Sequence, residues 1–346
     1  MRRGEPELSI VISTLGNHAM LKRVLDGYAR QDARSDRFEV LVVMDAAEEQ
    51  PEEVERAIAS RPYPVRRLSG RIPGLSANRN AGWRVAKAPV VLFTDNDTIP
   101  VRRLVSEHIR WHRRHPSVEV AVVGQVRWSR ELEITPFMRW LDHGVQFNFP
   151  SIKGTQAGWG HLYGANSSIK RGFVERVGGY DEERLPYLYE DLDFAFRASK
   201  LGLRVLYNRR AIVDHYRPGM TPEFWQEKVR RYAATERQFL RIHPELEPYF
   251  FNMFSSATRL PPARGRGLRL ARFVPRRLPW LGPYVWKMVD IYFRQQLAPH
   301  FLEAWEEAAG AMPSASWLAE SSDGGSDQPS RSEAAGTSLG SKPGGS

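Results

Sequence analysis

Residues 89–100, Pro-Val-Val-Leu-Phe-Thr-Asp-Asn-Asp-Thr-Ile-Pro, constrain this chain more than any other stretch. The apolar run from Val90 to Phe93 is short and opens on two β-branched residues, which suits a strand buried on both faces of a parallel sheet. It stops at Asp95 and Asp97. Two carboxylates therefore stand at the carboxyl end of the strand, the edge at which open α/β sheets bind ligands. Pro100 closes the turn before a helical stretch. Like charges this close repel unless a cation offsets them. Hard oxygen donors of this kind favour Mg²⁺ or Mn²⁺, often shared with a substrate phosphate. Taken alone, Asp-Asn-Asp also fits an acidic turn capping the next helix, because turns enrich both residue types.

The preceding segments repeat one pattern. Leu8 to Thr14 reads as a buried first strand, followed by the turn Leu15-Gly16-Asn17. Met20, Leu21, Val24, Leu25 and Tyr28 then recur at helical spacing. Phe38 to Met44 is a second buried strand with Asp45 at its end, and Pro51 opens a helix, as proline can in a first turn. Val65 to Leu68 is a weaker third strand, and Gly74 to Gly82 begins a helix that runs through Lys87. Strands alternating with helices at these lengths predict parallel βαβ units. Ser13 and Thr14, Asp45, and Asp95 with Asp97 would then end three strands that can face one ligand.

The second half is less regular. Val118 to Val126 reads as a strand, and the aromatic-rich stretch from Trp128 to Tyr163 as core, since aromatic rings dominate buried area. Gly158-Trp159-Gly160 and Gly164-Ala165-Asn166 look like loop and close-approach positions. Tyr189-Glu190-Asp191-Leu192-Asp193 opens a helix that runs to about Leu201 and ends at Gly202. Acidic residues in that first turn also fit plain complementarity to the helix dipole. Val205–Tyr207 and Ala211–Val213 read as short strands, the second ending in Asp214-His215, and Pro222 to about Arg241 as helix.

Composition narrows the class. The 346 residues include no cysteine, which excludes disulfides and thiolate chemistry. The apolar run Leu8 to Ile12 is too short for a signal-peptide core, and no stretch approaches the ~20 apolar residues of a membrane span. Net charge is +10, most of it local, because residues 248–289 hold seven arginines and Lys287 but no Asp or Glu. Leu260, Leu268, Leu270, Phe273, Leu278 and Trp280 interleave with those arginines, and Val285, Met288, Tyr292 and Leu297 follow near one helical face. This pattern across 259–297 fits an anionic membrane surface as well as it fits packing on the rest of the chain. After Pro313 the composition turns to Ser, Gly, Pro and Ala, which predicts a disordered tail over 313–346.

Four stretches in this order make the chain similar to the family 2 glycosyltransferases of the GT-A fold over roughly residues 7–245. They are Ser9-Ile-Val-Ile-Ser-Thr, Gly74–Gly82 with Asn78-Arg79-Asn80, Phe93-Thr-Asp-Asn-Asp, and Gly178-Gly-Tyr-Asp-Glu with Tyr189-Glu-Asp-Leu-Asp. The resemblance implies an α/β fold, a Rossmann-like mostly parallel sheet flanked by helices. It divides the chain into a catalytic domain over 1–245, a basic amphipathic extension over 246–312, and the tail. Within the domain, 1–115 would hold the nucleotide sugar and 116–245 the acceptor. It further implies transfer of one sugar from a nucleotide-diphosphate sugar to a sugar or lipid-linked acceptor hydroxyl, with inversion and with Mn²⁺ or Mg²⁺. Carried over by position, Ser13 and Thr14 border the nucleotide, Asp45 holds the base and Arg79 packs beside it. Asp95 meets ribose or metal with Asn96 alongside, Asp97 is the metal ligand and His215 a third metal position. Asp191 is the catalytic base, with Glu190 and Trp159 supporting it or the acceptor. The expected location is cytoplasmic, on or near the membrane's cytoplasmic face.

The Gln-x-x-Arg-Trp motif of processive synthases is missing. The nearest start, Gln226, places Val229 and Arg230 where that motif needs Arg and Trp. Two other readings stay open: a nucleotidyltransferase, although Ser13-Thr-Leu-Gly-Asn lacks the basic residue of such phosphate loops, and a non-catalytic nucleotide-sugar- or nucleic-acid-binding protein. No nucleic acid is expected, because the arginine stretch matches no recognisable nucleic-acid module.

Overall fold

The computed structural model describes residues 5–263 and 282–310. Among them, nine strands form one sheet: β1 (Leu8–Thr14), β2 (Phe38–Met44), β3 (Val65–Ser69), β4 (Val90–Asp95), β5 (Thr98–Pro100), β6 (Val120–Trp128), β7 (Gln156–Ala157), β8 (Asn166–Lys170) and β9 (Arg204–His215). The helices are α1 (His18–Ala29), α2 (Pro51–Ile58), α3 (Leu75–Val85), α4 (Leu104–Arg114), α5 (Pro136–Leu141), α6 (Arg171–Val177), α7 (Glu190–Lys200), α8 (Pro222–Ile242), α9 (Tyr249–Thr258) and α10 (Gly282–Glu307).

The strand order is β3-β2-β1-β4-β8-β6-β9-β5, with β7 on β9. All seven residues of β1 are buried, as a strand covered on both faces requires. β1 pairs in parallel with β2 and β4, so Thr14, Asp45 and Asp95 end side by side on one edge. α1 covers one face through Met20, Leu21, Val24, Leu25 and Tyr28, the residues its spacing marks.

Beyond β4 the sheet becomes mixed. β8 runs antiparallel between β4 and β6. Asn166, Ser167 and Ser168 give it no apolar signature, yet all three are buried. Their polar groups are matched locally: Ser168 Oγ lies 2.7 Å from His108 Nδ1 and 2.8 Å from His112 Nε2, while Asn166 Nδ2 donates to the Ala211 carbonyl at 3.0 Å. The two short strands expected after Val205 are one strand, β9. Its register against β6 jumps between Gly124–Asn208 and Gln125–Ile212, which bulges residues 209–211 outward.

A second apolar cluster joins residues on both sides of 245. Phe137 and Trp140 of α5 and Trp225, Val229 and Phe239 of α8 meet Phe250 and Phe254 of α9 and Val285, Val289, Phe293, Leu297 and Phe301 of α10. The apolar face expected at 285–297 is therefore spent on packing, with Tyr284 and Met288 left exposed. The basic residues at 264–281 and the expected tail at 313–346 lie outside the described residues. Among the described residues, no helix is long and apolar enough to cross a membrane.

Candidate active site

The carboxyl ends of β1, β2 and β4 open into a cleft of about 230 Å³. Ser13, Thr14, Asp45, Asp95, Asn96 and Asp97 line one side, and Glu190, His215, Arg217 and Lys228 arrive from the second half of the chain. Ser13 Oγ is buried without a partner, and Asn96 Nδ2 donates to Thr14 Oγ1 at 3.1 Å. Asp45 is fixed by its neighbours: its Oδ2 accepts from Asn78 Nδ2 at 2.7 Å and from the Gly74 amide at 3.0 Å. Tyr187 also donates to that oxygen at 3.4 Å.

Asp97 lies at the mouth of β5. His215, the last residue of β9, pairs across β5 with Thr98, which places its Nε2 3.2 Å from Asp97 Oδ2. The imidazole stacks on Trp128 at 5.0 Å, and its Nδ1 is buried without a partner. Burial pushes the Asp97 carboxyl up, but the His215 charge and hydrogen bond, with Arg217 behind them, win and hold it at about 2. The Asp95 carboxyl moves the other way: burial raises it, Arg79 opposes and Asp97 adds to the rise. Two carboxylates so close cannot both ionise freely.

Whether these donors suit a divalent cation follows from their chemistry. Carboxylate oxygens and an imidazole nitrogen match Mn²⁺, and two protein ligands suffice where phosphate oxygens and water complete the shell. Among the described residues no three His, Asp or Glu groups converge as a ready cage. Asp97 and His215, with Asp95 beside them, fit a cation shared with a phosphate.

Across the cleft, Arg79 organises the other carboxylates. Its guanidinium is buried, with Nη1 2.8 Å from Glu190 Oε1 and 2.6 Å from Asp191 Oδ1, and Nη2 3.7 Å from Asp95. The amide of Gly164 donates to Asp191 Oδ2 at 2.7 Å. Only glycine fits there, since a Cβ would stand 2.2 Å from Arg79 Nη2 and 2.6 Å from Asp191 Oδ1. The turn that delivers Glu190 and Asp191 is strained, with Leu188 and Tyr189 both at positive φ, a conformation that persists only when its surroundings enforce it. Tyr189 OH donates to Glu236 Oε1 at 2.8 Å, and Glu236 in turn accepts from the amides of Phe250 and Phe251, so α8 and α9 hold the turn. Burial raises the Asp191 carboxyl to about 7, against the pull of Arg79 and with the push of Glu190.

Residues 9–178 match the model of glycosyl transferase family 2. Over those residues the chain is similar to that family. Among curated proteins it is 24% identical over 278 residues to a validoxylamine A glucosyltransferase of Streptomyces hygroscopicus subsp. limoneus, covering 71% of this chain and 59% of that one. It is 21% identical over 238 residues to the probable glycosyltransferase YdaM of Bacillus subtilis (strain 168), covering 65% of this chain and 54% of that protein. The chain thus spans little more than half the length of these relatives. Among solved structures, the mannosyltransferase PcManGT from Pyrobaculum calidifontis, in complex with GDP-Man and Mn²⁺, superimposes with a TM-score of 0.50 at 19% identity, covering 92% of this chain and 79% of that one. S. aureus TarS 1-349 in complex with UDP gives 0.50 at 16% identity, covering 88% and 91%. These likenesses establish the GT-A fold.

The structure gathers Ser13, Thr14, Asp45, Asp95, Asn96, Asp97, Glu190 and His215 on the cleft, and links Arg79 and Asp191 to it through Glu190 and Asp95. Trp159 is elsewhere: its ring packs 5.2 Å from Phe196 of α7, outside the residues that line the cleft. Sequence reading misses Arg217 and Lys228. Lys228 sits on the helix that carries Gln226, and its turn of α8 faces Asp97. Burial, with Arg217 nearby, lowers its ammonium to about 7. Arg217 lies in the loop before α8 and Lys228 in the second turn of α8 among several other charged residues, so the sequence pattern does not single them out.

Proposed function

We propose that this chain transfers a single sugar from a nucleotide-diphosphate sugar to an acceptor hydroxyl, with inversion at the anomeric carbon and with a divalent cation. The observation that carries the reading is the convergence on one cleft of Asp95, Asp97, His215, Arg217 and Lys228 with Glu190 opposite, and Arg79 tying Asp95 to Asp191. The GDP-Man and Mn²⁺ held by PcManGT and the UDP held by TarS support that donor class.

Asp45 and Ser13 take the nucleoside, and the diphosphate lies toward Asp97. The acceptor oxygen attacks the anomeric carbon from the face opposite the diphosphate. Its proton passes to an oxygen of Asp191, and the bond from the anomeric carbon to the diphosphate breaks with the electron pair leaving on the phosphate. Arg217 and Lys228 offset that developing charge. Mn²⁺ or Mg²⁺, held by Asp97 and His215 with Asp95 nearby, supplies further charge compensation when bound. Arg79 keeps Asp191 aligned while leaving its proton affinity high enough for a base near neutral pH.

A panel of uridine, guanosine and thymidine diphosphate sugars, assayed with Mn²⁺ for released nucleoside diphosphate, tests the activity. Release from one nucleotide class, lost on chelation, is expected. A panel with no release, or release indifferent to chelator, contradicts the reading.

The acceptor is proposed to be sugar or lipid-linked, with residues 259–297 resting on an anionic bilayer. Tyr249, Leu260, Tyr284 and Met288, exposed on the segments that flank the arginine stretch, support that placement. Each cation near such a surface contributes about 1 kcal/mol. Sedimentation with anionic vesicles should fall with added salt and fall again when Arg272, Arg276 and Arg277 become Gln. Equal sedimentation with neutral vesicles would overturn it.

A further inference from the structure

A second concavity, of about 540 Å³ against about 230 Å³ for the active-site cleft, lies where α4 crosses the bulge of β9. Arg110, Trp111 and Arg114 line it from α4, and Tyr207, Arg209 and Arg210 from β9. The bulge is built rather than incidental. Asn208 is buried, donates through Nδ2 to Glu107 Oε2 at 3.1 Å, and accepts through Oδ1 from the Arg210 amide at 3.0 Å. Gly124 of β6 lets the bulged chain close in, since a Cβ there would stand 2.3 Å from the Ala211 carbonyl oxygen. The Tyr207 amide donates to the Thr155 carbonyl at 2.8 Å, which fixes the far wall.

This geometry sets cations side by side, with Glu107 the carboxylate that Arg110 and Arg210 face from behind the groove. Glu107 is taken up by Arg110 and Asn208. Arg114, Arg209 and Arg210 are exposed and make no ion pair among the described residues, whereas Arg113 finds Glu7, Arg127 finds Asp214 and Arg176 finds Glu119. Arg209 lies 5.6 Å above the Tyr207 ring, which limits the directions its guanidinium can take. Planar guanidiniums gathered around one concavity match the oxygens of a phosphate group, and the half-buried Trp111 ring offers an apolar flank to whatever the phosphate is attached to.

We propose that this groove is a second binding site, separate from the active-site cleft, which takes a phosphate-bearing ligand through Arg114, Arg209 and Arg210. The ligand's phosphate can come from a soluble oligophosphate or from an anionic lipid headgroup, and the test separates the two.

Calorimetric titration of the full chain with inorganic tripolyphosphate, at low salt and with chelator, is compared with the triple variant Arg114→Gln/Arg209→Gln/Arg210→Gln. The variant should bind at least about tenfold more weakly, the equivalent of one lost charge-assisted contact. Lys228→Gln, in the active-site cleft, should keep the groove's binding. Sedimentation with phosphatidylglycerol vesicles forms the second arm. A loss there in the triple variant assigns the phosphate to a lipid headgroup, while a loss confined to tripolyphosphate assigns it to a soluble anion. Wild-type binding of both probes by the triple variant, or no binding of either probe by the wild type, overturns the proposal. The three side chains are exposed, so the fold should survive. Should circular dichroism show otherwise, Arg114→Gln alone, on the surface of α4, carries the same comparison with a smaller loss.

Discussion

Asp191→Asn should lower transfer by about 10²–10⁴-fold, the usual cost of losing a general base, while donor affinity stays at the wild-type level. The amide keeps one oxygen, which can accept from Arg79 or from the Gly164 amide but not from both, while the turn itself stays anchored through Tyr189 on Glu236. What it loses is the capacity to take the acceptor's proton. The wild type carries a second signature. With the Asp191 carboxyl raised to about 7 by burial, it is protonated and inert below that pH and ionised above it. The kcat/KM of the wild type should therefore rise through about pH 7, and the residual activity of Asp191→Asn should lack that limb. Collapse of donor affinity in the variant would move Asp191 to the donor side and remove it as the base.

Asp97→Asn should abolish metal-dependent turnover and leave the thermal transition in place. Asp97 is ionised at any working pH, because His215 and Arg217 overcome the effect of burial. Its loss leaves His215, Arg217 and Lys228 facing a single carboxylate, Asp95, whose own ionisation burial disfavours. Charge compensation by a bound cation is worth several kcal/mol, so the rate should fall by about 10²-fold or more. Full activity with unchanged metal dependence would refute the assignment of Asp97.

Much of this arrangement is legible in the sequence because the N-terminal half obeys local rules. β1, β2 and β4 are buried on both faces and read as continuous apolar runs, and the polar residue that ends each run marks the ligand edge. Gly164 is legible as a close approach, although which groups it approaches is not. The rest depends on contacts between residues far apart in the chain. β8 hides because Asn166, Ser167 and Ser168 are buried with polar partners supplied by α4 and β9, a match no periodicity announces. β9 reads as two strands because its bulge interrupts the pattern with two arginines. Lys228 is brought toward Asp97 by the packing of α8 against the second apolar cluster, and Arg217 by the loop that follows His215 at the end of β9. Trp159, half-buried, packs on Phe196 of α7, the helix that opens with Glu190 and Asp191, a contact that its loop position does not announce.

The donor cleft is tested most directly by titrating uridine and guanosine diphosphate into the wild type and Asp97→Asn, each with Mn²⁺ and with chelator. One nucleotide should bind the wild type with Mn²⁺, bind more weakly with chelator, and show no such Mn²⁺ enhancement in Asp97→Asn. Equal affinity in all four conditions, or no binding of either nucleotide, would contradict a donor site at Asp45, Asp95 and Asp97.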